Sequence, residues 1–542
     1  MPDSSSIKHV PVLIVGGGPV GLTASYLLSR QGIRSLLVER HPGTAVHPKA
    51  RAINARTMEI YRQHGLEAAI RAAGLPPRRA GMVVWTESLA GAEIERRIPG
   101  SAKGDAARIT PVLPCLCAQD DFEPVVRRAA ERETAATLRF DTELEAFEQD
   151  DAGVTTTLVS KVDGQCETVR AQYLIAADGA RSQIRQALGV PMIGRDNVYD
   201  SVNILLNADL QPWTAERPAA LYFVHNPDFR ATFLTINGID RWGFIVNSIG
   251  AYGFKPDDFT PERSIAMVRA AVGVPELAVK ILGIAPWVAA ARVAERFGIG
   301  RIFLAGDAAH EMPPTGGFGM NSGIQDVHNL CWKLALVLQD RAAPSLLQTY
   351  HDERQPVGQA IVAQSLGNAV SMGRLQRQPD ARARPEYLNE RGLIFGSLYR
   401  SAAIVADGTP APEVGNPVTD YVPSARPGSR APHVWLTPDD RSARTSTIDL
   451  VGQGFVMMAG ARGEAWAGAA RDLTQDLPLE TVTIGDGAYN TGARAWHDAY
   501  GVDDTGAVLV RPDGHVAWRS ASMAANPAAA LREATDAIRG RA

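Results

Sequence analysis

Three short glycine turns in the sequence could bring backbone amides and carboxylates to one cofactor. They are GGGPVG at residues 16–21, DG at 178–179 and GD at 306–307, and each follows a short apolar run. Glycine allows a tight turn and a close approach of the backbone to phosphate. An aspartate beside such a turn can accept hydrogen bonds from the hydroxyl groups of a ligand. We therefore predict that the three turns bind parts of one dinucleotide.

The first turn has the spacing of a dinucleotide-binding fingerprint. Gly16 permits the tight turn, Gly18 lets the backbone approach a pyrophosphate, and Gly21 lets helix and strand pack closely. The following helix offers free N–H groups and a positive dipole end to the phosphates. Glu39 lies 18 residues after Gly21 and ends the next apolar run, where an acid can bind a ribose. A carboxylate there would repel the 2′-phosphate of a bound NADP.

The block GDAAHEMPPTGGFGMN extends the third turn toward a flat ring. Its later glycines would let the backbone contact a ring, and its two prolines would stiffen the approach. A helix that begins at Met320 and Asn321 would stabilise negative charge on that ring. His310 lies three residues after Asp307, and we interpret it as structural. The ring-contacting candidates are Pro314, Gly316, Gly317, Gly319, Met320 and Asn321.

These motifs must be positioned by alternating strands and helices. Between residues 10 and 190 the pattern predicts strands at 12–15, 35–38 and 173–177, and helices at 20–31 and 57–64. The pattern resumes with a strand at 301–305 and a long amphipathic helix whose apolar face carries Ile324, Val327, Cys331, Leu334 and Leu338. Such alternation predicts a parallel sheet.

A second sheet is predicted between residues 200 and 250. Short runs rich in β-forming residues occur at 201–207, 220–224, 231–236 and 242–246, and Asn237-Gly238 is a hairpin signal. We expect an antiparallel sheet inserted into the α/β domain. Aromatic residues on it that face inward could form a substrate cavity next to Pro314. The candidates are Tyr222, His225, Phe233, Trp242 and Phe244.

Length and charge limit the functional classes. The 542 residues are too many for one ordinary core, and a net charge of −4 gives no reason to expect nucleic acid as a partner. Apolar runs stay well below the roughly 18 residues of a membrane span. Cys115 and Cys117 are too close for an ordinary disulfide, and no cluster of ligands predicts a metal. We expect a cytoplasmic protein without membrane contact.

The motifs resemble those of the class A flavoprotein aromatic hydroxylases, the p-hydroxybenzoate hydroxylase type. The chain looks like the larger members with a C-terminal extension, namely phenol and chlorophenol hydroxylases and tetracenomycin-type polyketide hydroxylases. The resemblance is strong over residues 8–365 and looser beyond. It implies FAD, NADPH or NADH as co-substrate, O2, and an aromatic small molecule. We expect the FAD to be bound without a covalent link, because no His or Cys lies in a known flavin-attachment context. It also implies hydroxylation of a phenolic or polyketide-derived ring through a flavin C4a-hydroperoxide.

The resemblance also assigns roles to individual residues. It implies that Glu39 binds the adenosine ribose, that Gln119 and Asp307 bind the flavin chain, and that residues 178–179 serve both FAD and NAD(P)H. The whole set of cofactor-binding candidates is Gly16, Gly18, Pro19, Val20, Gly21, Glu39, Arg40, Arg51, Gln119, Asp178, Gly179, Gly306, Asp307, Pro314, Gly317, Gly319, Met320 and Asn321.

The stretch HPKARAINARTMEIYRQHGL also matches the family. In these enzymes it lies near the flavin ring and moves when the ring swings out to meet NAD(P)H. Arg51 is our candidate for contacting flavin or substrate, and it is the one catalytic candidate. Arg56 is interpreted as a structural residue at a helix start. Phenol hydroxylases carry an acid near the position of Arg51, which argues against a simple phenol as substrate.

The expected fold class is α/β. A Rossmann-like FAD-binding domain takes residues 1–190 and 290–370, with part of 80–110 on the substrate side, and the inserted antiparallel-sheet substrate domain takes 191–289. A linker at 371–425 leads to a thioredoxin-like α/β domain at 426–542. That domain contains no cysteine, so it has no CxxC redox role. We expect it to be structural or to support oligomerisation, such as a homodimer.

Two other functions remain open from the sequence. A Baeyer–Villiger-type or oxidative ring-rearranging monooxygenase acting on a polyketide would keep the flavin and change the product. A non-catalytic binding module would keep the fold without a flavin, as Rab GDP-dissociation inhibitors do. The intact turns at 178–179 and 306–307 argue against the second alternative.

Overall fold

The computed structural model describes residues 7–79, 81–98, 106–375, 382–438, 444–485, 489–490 and 495–541. Within these ranges the strands form three large sheets and one two-stranded pair. The first sheet carries the glycine turns, the second lies beside them, and the third belongs to the C-terminal part of the chain. The α/β fold class predicted from the sequence is confirmed.

The first sheet contains the predicted parallel strands. Its parallel strands lie side by side in the order Ile302–Leu304, Cys166–Ala176, Lys8–Val15, Ser35–Val38 and Ala136–Arg139. The carboxyl ends of these strands share one edge, so the three glycine turns meet there. The runs that we predicted as strands are buried, as strands covered on both faces must be.

An antiparallel hairpin that we did not predict extends this sheet. Thr142–Asp150 and Gly153–Ser160 form the hairpin, and its second strand pairs with Cys166–Ala176. Gly298–Ile299 adds a short strand at the opposite edge. The hairpin strands mix buried residues with partly buried or exposed ones and are rich in Glu and Thr, so they lack the apolar run on which our prediction relied.

The second sheet is mainly antiparallel and contains the four predicted strands. Its order is His310–Glu311, Lys280–Ala294, Met192–Asn207, Arg241–Asn247, Arg230–Thr235, Leu221–His225, Val83–Thr86 and Glu93–Arg97. The hairpin at 237–238 is confirmed: Gly238 has φ +70°, and the Asn237 side chain accepts hydrogen bonds from three following amides. The strand Lys280–Ala294 was missed, because its alanines, glycine and proline gave no β signal. This strand also crosses the predicted boundary between residues 289 and 290.

The third sheet belongs to the C-terminal domain. Its order is Thr445–Ser446, Trp435–Pro438, Tyr489–Asn490, Leu479–Ile484, Phe455–Gly460, Ala507–Val510 and Val516–Ser520. Leu479–Ile484 and Phe455–Gly460 form a parallel pair, and the antiparallel hairpin of Ala507–Val510 and Val516–Ser520 continues from it to one edge of the sheet, in agreement with the thioredoxin-like α/β fold that we predicted. Asn526 caps the last helix by accepting a hydrogen bond from the Ala529 amide.

The helices connect and cover the sheets. Those described are Pro19–Arg30, Ala55–Gln63, Glu67–Ala73, Ala106–Ile109, Gln119–Arg132, Gln183–Ala187, Gln211–Thr214, Pro261–Val272, Gly319–Leu338, Thr349–Ser371, Arg391–Phe395, Glu464–Arg471, Ala495–Tyr500 and Pro527–Ile538. Gly319–Leu338 is the predicted amphipathic helix, and its apolar face is buried. None of the helices in the described ranges is both long and apolar enough to cross a membrane.

The segment predicted as a linker, 371–425, packs against the rest of the protein. Its described part has little regular structure, but Tyr387, Phe395 and Tyr399 are all buried. The Tyr399 ring stacks on His515 of the C-terminal domain, with ring centroids 3.9 Å apart. Proline and glycine interrupt regular elements here, and the aromatic side chains supply the apolar surface that fixes the segment.

Buried ion pairs join the C-terminal domain to the FAD-binding part. The Glu353 carboxylate accepts hydrogen bonds from Arg511 at 2.6 and 2.8 Å and from Lys333 at 2.8 Å. Arg430 binds Glu59, which also accepts a hydrogen bond from Arg56 at 3.0 Å. All these side chains are nearly or fully buried, so their charges are balanced inside the protein. The interpretation of Arg56 as structural agrees with this position.

Candidate active site

The first glycine turn forms a cradle that side chains would fill. Gly16 has φ +112°, and a Cβ on it would lie 2.2 Å from the Ala177 carbonyl oxygen. A Cβ on Gly21 would lie 1.9 Å from the Gly16 carbonyl oxygen, so only glycine lets the helix pack this closely. A Cβ on Gly18 would meet only Glu123 Oε1, at 4.0 Å, and Gly18 serves as the N-cap of Pro19–Arg30 without a side-chain hydrogen bond. The helix N-terminus therefore presents its amides to the cavity, as a pyrophosphate site requires.

Glu39 and Arg40 lie at the edge of the same cavity. The Glu39 carboxylate accepts hydrogen bonds from the Gly17 amide at 2.6 Å and from the His41 amide at 3.0 Å. These bonds hold the carboxylate beside the first turn and leave it half-buried. The position fits a ribose-binding acid, and Arg40 is exposed next to it.

The second turn leaves one polar atom without a partner. Asp178 Oδ2 accepts a hydrogen bond from the Ile184 amide at 3.3 Å, whereas Oδ1 is buried and has no hydrogen-bond partner in the described structure. Burial raises the pKa of this carboxyl. Gly179 follows with φ +81° and lines the cavity. An unsatisfied buried oxygen is costly, and a ligand hydroxyl would satisfy it.

The third turn places Asp307 at the cavity. Gly306 has φ +62°, and a Cβ on it would lie 2.9 Å from a Val20 methyl group. The Asp307 side chain is open to the cavity, and desolvation by the surrounding protein raises the pKa of its carboxyl. His310 lies behind the turn and bonds Asp326 at 2.7 Å, and Asp326 in turn accepts a hydrogen bond from the Gly306 amide. This arrangement agrees with a structural role for His310.

The loop from Pro313 to Gly319 is held by Asn321. The Asn321 side chain donates to the carbonyls of Ala52 and Gly317 at 2.8 and 2.7 Å and accepts from the Asn54 amide at 2.9 Å. Its side chain is thus fully used in joining this loop to residues 52–54. Gly316 and Gly317 have φ +129° and +69°, and nothing lies within 4 Å of a Cβ on Gly319. Residues 314, 316, 317, 319 and 320 line the cavity and leave room for a flat ring.

Arg51 and Gln119 make protein contacts at the cavity wall. The buried Arg51 guanidinium donates to the Thr235 carbonyl at 3.0 Å and to the Ala220 carbonyl at 2.6 Å. It therefore ties the flavin-side segment to the substrate sheet, and burial lowers its pKa to about 10. Gln119 accepts a hydrogen bond from the Lys49 amide at 3.3 Å. Both residues line the cavity, which is consistent with the predicted sites.

Most of the predicted substrate residues do not face the cavity. Tyr222, Phe233 and Trp242 are fully buried in a separate core with the helix Pro261–Val272. Phe244 belongs to the same core but also lines the cavity, as we predicted. His225 is half-buried outside the cavity lining, and burial lowers its pKa to about 4. Alternate residues of a strand face opposite sides, and the sequence did not show which side faces the cofactor.

The inner face of the sheet carries other residues. Asn203, Leu205, Leu234 and Trp287 line the cavity, and the Trp287 indole donates to the Asn203 side chain at 2.8 Å. Leu234 is adjacent to the predicted Phe233 and faces the opposite side of the same strand. Asn203 and Leu205 lie on a predicted strand for which we named no candidate, and Trp287 lies on the strand we missed.

The segment predicted as a linker contributes the remaining wall. Tyr387 and Glu390 line the cavity and are both buried. No motif marks them in the sequence, so sequence reasoning could not assign them to the site. Together with the inner face of the sheet, they enclose the space beside the loop from Pro313 to Gly319.

One cavity of about 2070 Å³ connects the three glycine turns to the inner face of the sheet. Pockets for a single small ligand usually measure about 300–1,000 Å³, so this cavity has room for a cofactor and a substrate together. Glycines line its first half, where Cβ atoms would obstruct the turns. The unpartnered Asp178 Oδ1 and the cavity-facing Asp307 provide acceptors for ligand hydroxyls. These residues fit FAD.

Comparisons with known proteins agree with this geometry. The FAD-binding domain family matches residues 9–365, and the aromatic-ring hydroxylase C-terminal family matches residues 424–542. A putative polyketide hydroxylase of Streptomyces halstedii is 40% identical over 541 residues, covering 95% of this chain and 94% of the relative. A 4-methyl-5-nitrocatechol 5-monooxygenase of a Burkholderia species is 39% identical, with 98% and 97% covered.

A solved structure shows the same architecture with ligands bound. The flavin-dependent monooxygenase PieE, in complex with FAD and substrate, superimposes with a TM-score of 0.91 at 35% identity. The match covers 98% of this chain and 99% of PieE. The resemblance inferred from the glycine turns is thereby confirmed. The chain belongs to the FAD-dependent aromatic hydroxylases that carry the aromatic-ring hydroxylase C-terminal domain.

Proposed function

We propose that this protein is an NAD(P)H-dependent monooxygenase that hydroxylates a polycyclic, polyketide-derived phenol. The continuous cavity carries this proposal, because it joins the glycine turns to an apolar sheet face. Its volume leaves space for a multi-ring substrate beside FAD. The polyketide hydroxylase and nitrocatechol monooxygenase among the relatives support an electron-rich aromatic substrate. The free cysteines support a cytoplasmic location.

We assign the cofactor contacts as follows. The amides at the start of Pro19–Arg30 hold the pyrophosphate, and Glu39 binds the adenosine ribose. Asp307 binds the ribityl chain, and the N-terminus of Gly319–Leu338 favours negative charge on the pyrimidine side of the ring. When bound, FAD supplies the reduction and oxygen-transfer chemistry, with NAD(P)H as reductant and O2 as oxidant.

The protein residues position the substrate and exclude water. Leu205, Leu234 and Trp287 provide an apolar face for an aromatic ring, and Asn203 provides a polar contact on it. Arg51 holds the flavin-side segment against this sheet through two carbonyls. Closing the two walls together keeps water from the reacting atoms, which prevents loss of the oxidising equivalent as peroxide.

The purified protein tests this function directly. It should be yellow, and acid precipitation should release the colour into the supernatant, because no covalent link holds FAD. NAD(P)H oxidation should then be measured with NADH and with NADPH, while phenolic polyketides are supplied as substrates. A product with an added ring hydroxyl supports the proposal. A lactone would indicate Baeyer–Villiger chemistry, and a colourless protein would indicate a binding module.

A further inference from the structure

Glu390 is a buried carboxyl on the substrate side of the cavity. It is 6% exposed and immediately precedes the short helix Arg391–Phe395. Its position comes from the segment between Thr349–Ser371 and the C-terminal domain, not from any of the glycine turns. It therefore lies outside the set of residues that bind the cofactor in our assignment.

An asparagine places Glu390 next to the loop that faces the flavin ring. The Asn368 amide donates to the Thr315 carbonyl at 3.1 Å and to Glu390 Oε1 at 3.4 Å. Thr315 belongs to the loop from Pro313 to Gly319, so the carboxyl lies beside that loop. The reacting carbon of a substrate must also lie beside it, because oxygen is delivered from the ring.

The charges around Glu390 are few. None of the ion pairs in the described part of the chain includes it, although the Arg384 guanidinium is near enough to favour its ionised form. Tyr387 is near enough for the two charges to interact: burial and Glu390 raise the pKa of that phenol, whereas Arg374 and Arg51 lower it by less. Burial is the main influence on Glu390 and raises its pKa to about 7.

Other carboxylates of the cavity wall are engaged differently. Glu311 pairs with Arg292, and the Asp200 carboxylate accepts a hydrogen bond from the Gly250 amide at 3.0 Å. Asp178 and Asp307 lie at the glycine turns. Glu390 thus combines burial, a position beside the ring-facing loop and the lack of an ion pair.

We propose that Glu390 accepts the proton of the substrate's ring hydroxyl before oxygen is transferred to the ring. This inference rests on the proposed function. The substrate O–H bond breaks, its proton moves to a Glu390 carboxylate oxygen, and the electron pair stays on the substrate oxygen. The products are a phenolate and a neutral carboxylic acid, so no oxidation state changes. The phenolate is the more electron-rich ring, and the proton can return to the product afterwards.

The surroundings suit this role. A general base works best when its pKa lies near the working pH, and an ordinary exposed glutamate is too weak a base. Tyr387 stays protonated because of its raised pKa, so its hydroxyl can donate a hydrogen bond to the substrate oxygen.

The proposal is tested by titrating a bound phenol whose ionisation is visible. The FAD-loaded protein is mixed with 4-nitrocatechol, and the phenolate absorbance of the bound probe is recorded from about pH 5 to 9. A carboxyl and a phenol that share a proton titrate in two steps, separated here by about one pH unit or more. The wild-type protein should show two steps and E390Q only one. E390D should restore the second step.

A matched variant controls for changes in charge. Glu386 lies four residues earlier and is not part of the cavity wall, so E386Q should titrate as the wild type does. Flavin absorbance and circular dichroism confirm that each variant is folded and loaded. Identical titrations of E390Q and wild type would overturn the role of Glu390 and leave the aromatic site intact. Failure of every FAD-loaded variant to bind the probe would overturn the aromatic site and the proton acceptor together.

Discussion

Glu353 and Glu390 are both buried glutamates, but their surroundings are opposite. Glu353 lies between the FAD-binding part and the C-terminal domain, where Arg511 and Lys333 surround it. These cations hold the pKa of its carboxyl well below the usual range, although burial acts in the other direction. Glu390 lies at the cavity wall without an ion pair, and burial raises its pKa to about 7.

The comparison distinguishes buried charges that stabilise the interface between domains from cavity carboxyls that are available to a ligand. A buried carboxylate with two cations contributes to a fixed interface. A buried carboxyl without one makes the folded protein less stable whenever it ionises. Asp178 and Asp307 resemble Glu390 in that both have a raised pKa and no ion pair among the described residues, although both are more open to the cavity. Perturbed carboxyls in one cavity are typical of a functional site.

Removing a cation from the interface should give the largest effect. Arg511→Met leaves the Glu353 and Asp513 carboxylates buried with less compensation, and breaking such a pair typically costs about 3–5 kcal/mol. The free energy of unfolding, measured by urea denaturation, should fall by that order. Arg462→Met is the control, because the Arg462 pair is exposed and such pairs contribute about 0–1 kcal/mol. Equal losses in the two variants would remove the distinction between interface and surface charges.

Removing the Glu390 carboxyl, which has no ion pair, should raise the free energy of unfolding instead of lowering it. The folded protein disfavours the ionised form of Glu390. The free energy of unfolding therefore falls as the pH rises from the pKa of the unfolded state, near 4.5, to that of the folded state, about 7. Glu390→Gln should therefore stabilise the protein at pH 8, by up to about 3 kcal/mol on the scale of 1.36 kcal/mol per pKa unit. The gain should vanish below about pH 4.5.

Urea denaturation at pH 5, 6.5 and 8 measures this trend. Glu386→Gln serves as the control and should show no pH-dependent gain. A Glu390→Gln variant that is less stable than wild type at pH 8 would show that the carboxylate is paired after all.

Removing the cavity carboxylate at the third turn should affect the cofactor. Asp307→Ala loses a charged hydrogen-bond acceptor for the ribityl chain, which typically costs about 1.5–3 kcal/mol, or about ten- to a hundredfold in affinity. Absorbance of the bound flavin and a titration of the FAD-free protein measure the loss. Asp352→Ala changes an exposed aspartate outside the cavity wall and should retain FAD. Unchanged flavin occupancy in Asp307→Ala would refute the assignment.

The cofactor half of the site could be predicted from the sequence, whereas the substrate half could not. Gly21 is required by its contact with the Gly16 carbonyl five residues earlier, and Gly16 needs its positive φ for the tight turn, so these constraints are local and leave a motif. The inner face of the second sheet depends on which alternate residues turn toward the cofactor. Phe233 and Leu234 are adjacent in sequence and lie on opposite faces. Periodicity alone does not identify the inner face.

The part of the cavity wall that comes from the segment 371–425 could not be predicted from the sequence either. Tyr387 and Glu390 come from an irregular segment that reaches the cavity only through tertiary packing. The long strand Lys280–Ala294 was missed because its stability comes from pairing with Met192–Asn207, not from its own composition. Local chemistry therefore predicted the turns, and the positions fixed by long-range pairing needed the structure.

Replacing Arg51 should have the smallest effect of these variants, and it should change coupling without changing flavin content. It is a buried cation outside every ion pair of the described residues, and it stays charged because its pKa, although lowered by burial, is about 10. Its guanidinium donates hydrogen bonds to the carbonyls of Ala220 and Thr235, so it holds the flavin-side segment against the substrate sheet and not against the glycine turns.

Arg51→Ala should leave flavin content nearly normal while water enters the cavity. More peroxide and less product should then form per NAD(P)H consumed. Arg51→Lys should be intermediate, because an ammonium keeps the charge but lacks the planar fork that reaches two carbonyls. Loss of FAD with intact coupling would instead place Arg51 on the cofactor chain, and normal occupancy, rate and coupling would remove it from the site.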